Sequence, residues 1–187
     1  MIKQIPSNTW LGISEKIKEF FKENVAKGFF LQLQDTEEEP EYREPYVDLQ
    51  TLPHKNFVAP GDWVFTSSKP FQAPYILIET QNVRINNDVV TMGIRAIFGV
   101  YASGNYEAED VALIVPDNKA YIDLMNVMQK GMDAVNSIRT FGNAQLAEGT
   151  EITADIYDMD TPTYPYAYGY MTFDVQYHTS SSVELNL

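Results

Sequence analysis

The segment from Thr91 to Tyr101 most constrains what this chain can fold into. Its even positions, Met92, Ile94, Ala96, Phe98 and Val100, are all apolar, while the odd ones mix Thr91, Gly93, Arg95, Gly99 and Tyr101 with a single Ile97. A period of two belongs to a strand with one face on a core, because successive side chains point to opposite sides of a sheet. Strand candidates precede and follow this segment, and a long amphipathic helix pattern begins within about twenty residues, a crossover length typical of mixed α/β units. Residues 91–101 therefore read as a central strand.

A chain of 187 residues fits a single domain, 1–187, and can bury a sizeable core. The 44% apolar and 13% aromatic content is that of a folded protein. Twenty-six acidic residues against 13 basic ones give a net charge of −13. That balance argues against nucleic acid held through its phosphates and against an anionic membrane surface. With no cysteine, disulfides, Cys-based zinc sites and Cys nucleophiles are excluded. The start, Met1 to Pro6, has no apolar run of signal-peptide length, and no segment approaches the ~20 apolar residues of a membrane span. The expected place of synthesis and residence is a cytoplasm.

Residues 7–27 read as a helix capped by Ser7 or Asn8, with an apolar stripe of Trp10, Ile13, Ile17, Phe20, Phe21 and Val25. Lys16, Lys18, Lys22 and Lys27 with Glu15, Glu19 and Glu23 form a solvated face with helical ion pairs, and Gly28 ends the element. Residues 29–34 form a strand, to which Pro45–Gln50 is expected to return antiparallel. The connecting loop 35–44 carries six acidic residues and one Arg, and is expected to be mobile because nothing there repays its ordering entropy. Glu37, Glu38 and Glu39 lack the Gly and the alternation of a calcium loop, so no metal is expected. Residues 51–74 hold four prolines and the aromatic anchors Phe57, Trp63, Phe65 and Phe71, as in a long interaction loop. Together, 35–73 make an extended acidic, Pro-rich excursion.

Pro74–Thr80 is apolar on both faces at first, which suits an interior strand. It runs through Val83 and Ile85 to Asn86-Asn87-Asp88, residues that suit a tight hairpin turn. Beyond the central strand, Ala102–Asn105 leaves the sheet. Asp117 then caps a helix over 118–139 with the stripe Tyr121, Leu124, Met125, Met128, Met132, Val135 and Ile138, ended by Gly142. Two strands close the chain, one alternating through Ile152, Ala154 and Ile156, the other through Met171, Phe173, Val175 and Tyr177. Residues 179–187 read as a free or partner-docked tail. The fold class is α+β: a mainly antiparallel sheet with two helices packed on one face, plus a long loop or hairpin excursion.

Motifs for catalysis are missing. His54 and His178 are the only histidines, and neither Gly-x-Ser-x-Gly nor a Gly-rich phosphate loop occurs. Acidic pairs such as Asp158 and Asp160 arise by chance in so acidic a chain, so no enzyme and no cofactor is expected. Tyr164, Tyr166, Tyr168 and Tyr170 are different, because alternate spacing places them on one side of an extended segment. Such a row reads as a half-buried sheet edge, an aromatic carbohydrate platform or a protein interface.

Three stretches carry a family resemblance: Pro74-Tyr75-Ile76-Leu77-Ile78-Glu79, then Ile97-Phe98-Gly99-Val100-Tyr101 leading to a helix, then Tyr164-Pro165-Tyr166-Ala167-Tyr168-Gly169-Tyr170-Met171-Thr172-Phe173. In order and spacing the chain resembles the tail terminators, also called tail-completion or neck proteins, of long-tailed bacteriophages. The resemblance covers roughly residues 74–178, and the segment 35–73 is larger than the family pattern. It implies an α+β fold, no catalysis, and a virion protein assembled in the host cytoplasm as a hexameric ring on the tail tube. The implied partners are further copies of the chain, the tail tube protein and a head-completion or connector protein. Alternatives are a neighbouring head–tail connector, or a stand-alone carbohydrate- or protein-binding module using the tyrosine cluster. A ring needs two different surfaces on each subunit. The expected ones combine the acidic Glu37, Glu38 and Glu39, meeting the Lys-bearing helix of a neighbour, with the aromatics Phe57, Trp63, Phe65, Tyr164, Tyr166 and Tyr168.

Overall fold

A computed structural model describes residues 9–33, 40–50, 73–103, 105–106, 114–115, 118–157 and 165–178. The alternating segment becomes β5, Val89–Tyr101, and lies between two long partners. Upstream, β4, Tyr75–Asn86, joins it through a two-residue turn in which Asn87 takes φ 53°. That left-handed conformation is one Asn tolerates better than most residues. Downstream, β11, Tyr166–His178, runs antiparallel to β5 along its whole length, from Tyr166 opposite Tyr101 to His178 opposite Val89.

All five even-numbered apolar residues of the central strand are fully buried, as their spacing predicts. They face two helices. The first, α1, spans Trp10–Phe21 and continues as a π-helical turn over Lys22–Ala26, to Gly28 at φ +72°. Its cap is Thr9, whose hydroxyl accepts from the Gly12 N–H at 3.1 Å; Ser7 and Asn8 lie outside the described residues. Ile13, Ile17, Phe20, Phe21 and Val25 are buried as expected, but Trp10 is 60% exposed. Helical side chains lean back toward the N-terminus, so one at the first position projects past the start of its own helix. The expected ion pairs form, Lys18 with Glu15 at 2.5 Å and Lys27 with Glu23 at 2.6 Å. Ser14, buried in the helix interface, shares a 2.8 Å hydrogen bond with Thr80 and so ties α1 to β4.

The second helix, α2, spans Lys119–Ile138 and packs against β5 and β11. Its buried face is rotated from the expected stripe. Ala120, Leu124, Val127, Met128, Gly131 and Val135 point inward, whereas Tyr121 is 51% and Met125 45% exposed, and Ile138 is exposed too. The cause is close approach. A Cβ on Gly131 would lie 3.1 Å from Met171 Sδ and 3.4 Å from Phe98 Cζ. The helix therefore sets Gly131 against the sheet between Leu124, Val127, Met128 and Val135, and Tyr121 and Met125 fall outside the contact. The helix ends at Arg139, in the left-handed region at φ 58°, not at Gly142. Gly142, at φ +68°, turns a short hairpin between β8, Thr140–Phe141, and β9, Ala144–Leu146. Asn118 occupies the helix's N-cap position, and Asp117 lies outside the described residues.

Two short strands, β1, Leu31–Gln32, and β2, Tyr42–Arg43, pair antiparallel. The next strand, β3, Tyr46–Leu49, does not return along residues 29–34 as expected. It runs parallel to β4, Tyr46 opposite Tyr75 and Leu49 opposite Ile78, as the first strand of the main sheet. Parallel neighbours need a long crossover, and the chain between Leu49 and Tyr75 is ample for one. The register puts Val47 and Leu49 against the helical core. Half of the acidic loop expected to be mobile is likewise structured: Tyr42 and Arg43 sit in β2, and Glu44 accepts from the Gly28 N–H at 2.8 Å. A separate two-stranded ribbon joins β6, Asn105–Tyr106, to β7, Ile114–Val115. Last, β10, Thr153–Ile156, pairs with β11. The main sheet has the order β3-β4-β5-β11-β9-β8, with β10 beside β11, and every pairing but β3–β4 is antiparallel. The fold is α+β, as the patterning predicts.

Candidate functional site: the tyrosine face of the sheet

The side chains of β4, β5 and β11 that point away from the helices build a second apolar cluster. Buried Tyr75, Leu77, Ile97 and Tyr168 form it, with Tyr157, Tyr166 and Tyr170 packed around. Register explains the grouping. Gly99 of β5 stands opposite Tyr75 on one side and Tyr168 on the other, and Ile97 stands between Leu77 and Tyr170 in the next row. The row after that sets Arg95 between Glu79 and Thr172.

Gly99 makes the first row possible. A Cβ there would lie 2.5 Å from Tyr75 Cε1 and closer still to Cζ, so the ring of Tyr75 lies in the space that a side chain would fill. Both flanking tyrosines are almost enclosed, each 3% exposed. The Tyr166 ring stacks beside Tyr168 with centroids 6.0 Å apart and leans on Tyr101 at 5.3 Å. Tyr157 and Tyr170 meet at 5.0 Å. Offset and tilted ring pairs at such distances contribute beyond their buried area. Over Tyr170, at 5.1 Å, lies the Arg95 guanidinium, which also reaches Glu79 at 3.5 Å. With its amide oriented to accept, Gln81 takes the Arg95 Nε–H at 2.9 Å. The Arg95 guanidinium is thus held by a ring, a carboxylate and an amide.

Burial pushes the phenols of Tyr75 and Tyr168 upward, each reinforced by neighbouring tyrosines, and lifts Tyr157 to about 12. All three are neutral at physiological pH, so this face offers rings and hydroxyl dipoles and no phenolate. A raised folded-state pKa stabilises fully below the unfolded value near 10, and that stabilisation is lost as pH climbs toward the folded value. Absorbance titration is expected to show a late-ionising group of tyrosines whose ionisation coincides with loss of structure above pH ~10. Smooth titration of all twelve tyrosines near 10 with the fold intact would contradict the enclosure of this face.

Among the residues anticipated from the sequence, Tyr166 and Tyr168 come together here with Tyr170, on one side of β11 as their spacing predicts. The tyrosines lie on an interior strand between β5 and β10, and not on a sheet edge. Tyr164, Glu37, Glu38, Glu39, Phe57, Trp63, Phe65 and Phe71 lie outside the described residues, as do His54, Asp158, Asp160 and the tail 179–187. His178 closes β11 as an exposed side chain. The sequence reading missed Tyr75, Gly99, Arg95, Glu79 and Tyr157 as members of the group. The polar odd positions of the 91–101 alternation were the available signal, since a second covered face needs its own partners.

No protein-family model matches the chain, and no curated protein matches it. No described helix is long and apolar enough to cross a membrane.

Proposed function

We propose that this chain is a tail terminator of a long-tailed bacteriophage, a virion structural protein that forms a ring on the tail tube and joins it to the head. One observation carries the reading. The first two stretches that bear the family resemblance share the β4–β5 hairpin, and the third, distant in sequence, returns as β11 to pair with β5. Their aromatic and glycine positions meet in one row, Tyr75–Gly99–Tyr168. The arrival of the distant third stretch in register with Gly99 is what supports the reading. The net charge of −13 supports the same reading, because a ring around a DNA channel should not grip the phosphates. Its partners on this reading are further copies of the chain, the tail tube protein and a head-completion or connector protein, and its reaction chemistry is nil. The alternative of a carbohydrate platform fits less well, since Tyr168 is enclosed and has no ring face to offer a sugar.

Electron microscopy of particles assembled without the gene tests the proposal. Tubes of uncontrolled length without heads are expected, with normal length restored when the purified protein is added. Tubes of normal length that only fail to join heads would assign the chain to the neighbouring connector role. Intact, infectious particles without the gene would overturn both.

A further inference from the structure

Besides the two-residue β8, two longer strands of the main sheet, β3 and β10, lie at its edges. Among the described residues nothing pairs with the outer side of β3 or of β10. In β3 the N–H groups of Tyr46 and, two steps past Asp48, Gln50 donate inward to the carbonyls of Pro74 and Ile78 at 3.0 and 2.8 Å. Strand alternation then turns the Leu49 N–H outward. It does not face an empty edge: the Asp48 carboxylate accepts it at 2.8 Å. In β10 the Tyr157 N–H donates inward to Tyr168 at 3.0 Å, so the Ile156 N–H points outward, and the Asp155 carboxylate accepts it at 2.8 Å. Both edges carry the same device, an Asp whose side chain takes the outward N–H of the residue that follows.

Each carboxylate is held in place. Tyr46 Oη donates to the other oxygen of Asp48 at 2.7 Å, and Lys18 lies 4.0 Å from Asp48 Oδ1. Tyr170 Oη points at Asp155 Oδ2 at 3.5 Å. An open strand edge is a template for another strand, and an occupied donor cannot serve as one. We propose that Asp48 and Asp155 are edge latches, which close the outer sides of β3 and β10 to strand addition by a second copy of the chain. The inference is independent of the terminator reading. If the protein also forms rings, their contacts do not run through paired strands at these edges while the latches are closed.

Sedimentation velocity across a concentration series tests it on the full chain, with each variant compared to the unaltered protein. Asp155→Ala opens one edge, and like edges can pair only about a two-fold axis, so the apparent mass should roughly double and stop. Asp48→Ala with Asp155→Ala opens both, and growth should be open-ended. Asn keeps a carbonyl oxygen that can accept the same N–H, so the double Asn variant should match the unaltered protein. Amide exchange at Leu49 and Ile156 should be faster in the dilute Ala variant and slow again as it associates. Two results would overturn the proposal: an Ala double variant whose mass stays that of the unaltered protein, or an Asn variant that associates as readily as the Ala one. The second would identify negative charge, and not the N–H contact, as the barrier.

Discussion

Phe98→Ala is expected to lower stability by about 3–5 kcal/mol, the range for removing a buried aromatic ring that its surroundings cannot replace. The Phe98 ring is fully buried at the centre of the helical face, 6.4 Å from Phe21, with its Cζ beneath the position where Gly131 lacks a side chain. Collapse into the vacated volume would need α2 to move, yet the helix already sits at close approach there. Because β5 is the strand that joins the two halves of the sheet, the loss should appear as a shift of the whole cooperative transition in denaturant. An unchanged midpoint would mean that the two faces of β5 are assigned the wrong way round.

Gly99→Ala, the smallest possible addition, is expected to be destabilising on the other face, by about 2 kcal/mol net. Alanine suits a strand better than glycine, which favours the variant by about 0.5–1 kcal/mol. Against that, the new methyl overlaps the ring of Tyr75, and that ring is walled in by its own cluster. Overpacking of such a site costs typically 1–3 kcal/mol, and the upper end is expected because backbone fixes one partner and burial the other. The decisive measurement is a double-mutant cycle with Tyr75→Leu. If the ring is the obstacle, Gly99→Ala should be close to harmless once it is gone, with a coupling of about 1–3 kcal/mol. Additive losses would place the strain elsewhere.

Patterns of period two were legible because they depend only on which side chains need covering. Met92 to Val100 and Met171 to Tyr177 alternate cleanly, and those strands and their inward faces follow from the spacing alone. The turn at Asn87 was legible for a local reason, its tolerance of positive φ. The helix over 119–138 was legible as a helix but not in its rotation. Apolar size points to Tyr121 and Met125, whereas the contact is set by Ala120 and Gly131, whose smallness matters only once a neighbour is known. The direction of β3 was hidden for a similar reason: Val47 and Leu49 announce a strand with one buried side, and nothing local says which strand it joins. For the tyrosine face the row on β11 was visible, while Tyr75 and Arg95 became members only through a register that no single segment contains.

The full-length pairing of β5 with β11 has a consequence for the order in which the chain can fold. The β4–β5 hairpin closes over a two-residue turn and can form within microseconds, whereas β11 pairs with β5 only after residues 102–165 have been looped out. Contacts at such separation are won late, because loop entropy is spent before any of them is made. Until then the hairpin presents the bare β11-side edge of β5, with Met92, Ile94 and Phe98 beside it, and neither latch guards that edge. The hazard in this molecule is thus greatest in time, between the making of its middle strand and the arrival of its last. A slow synthesis or a crowded refolding mixture should reveal it as aggregation that the finished protein never shows.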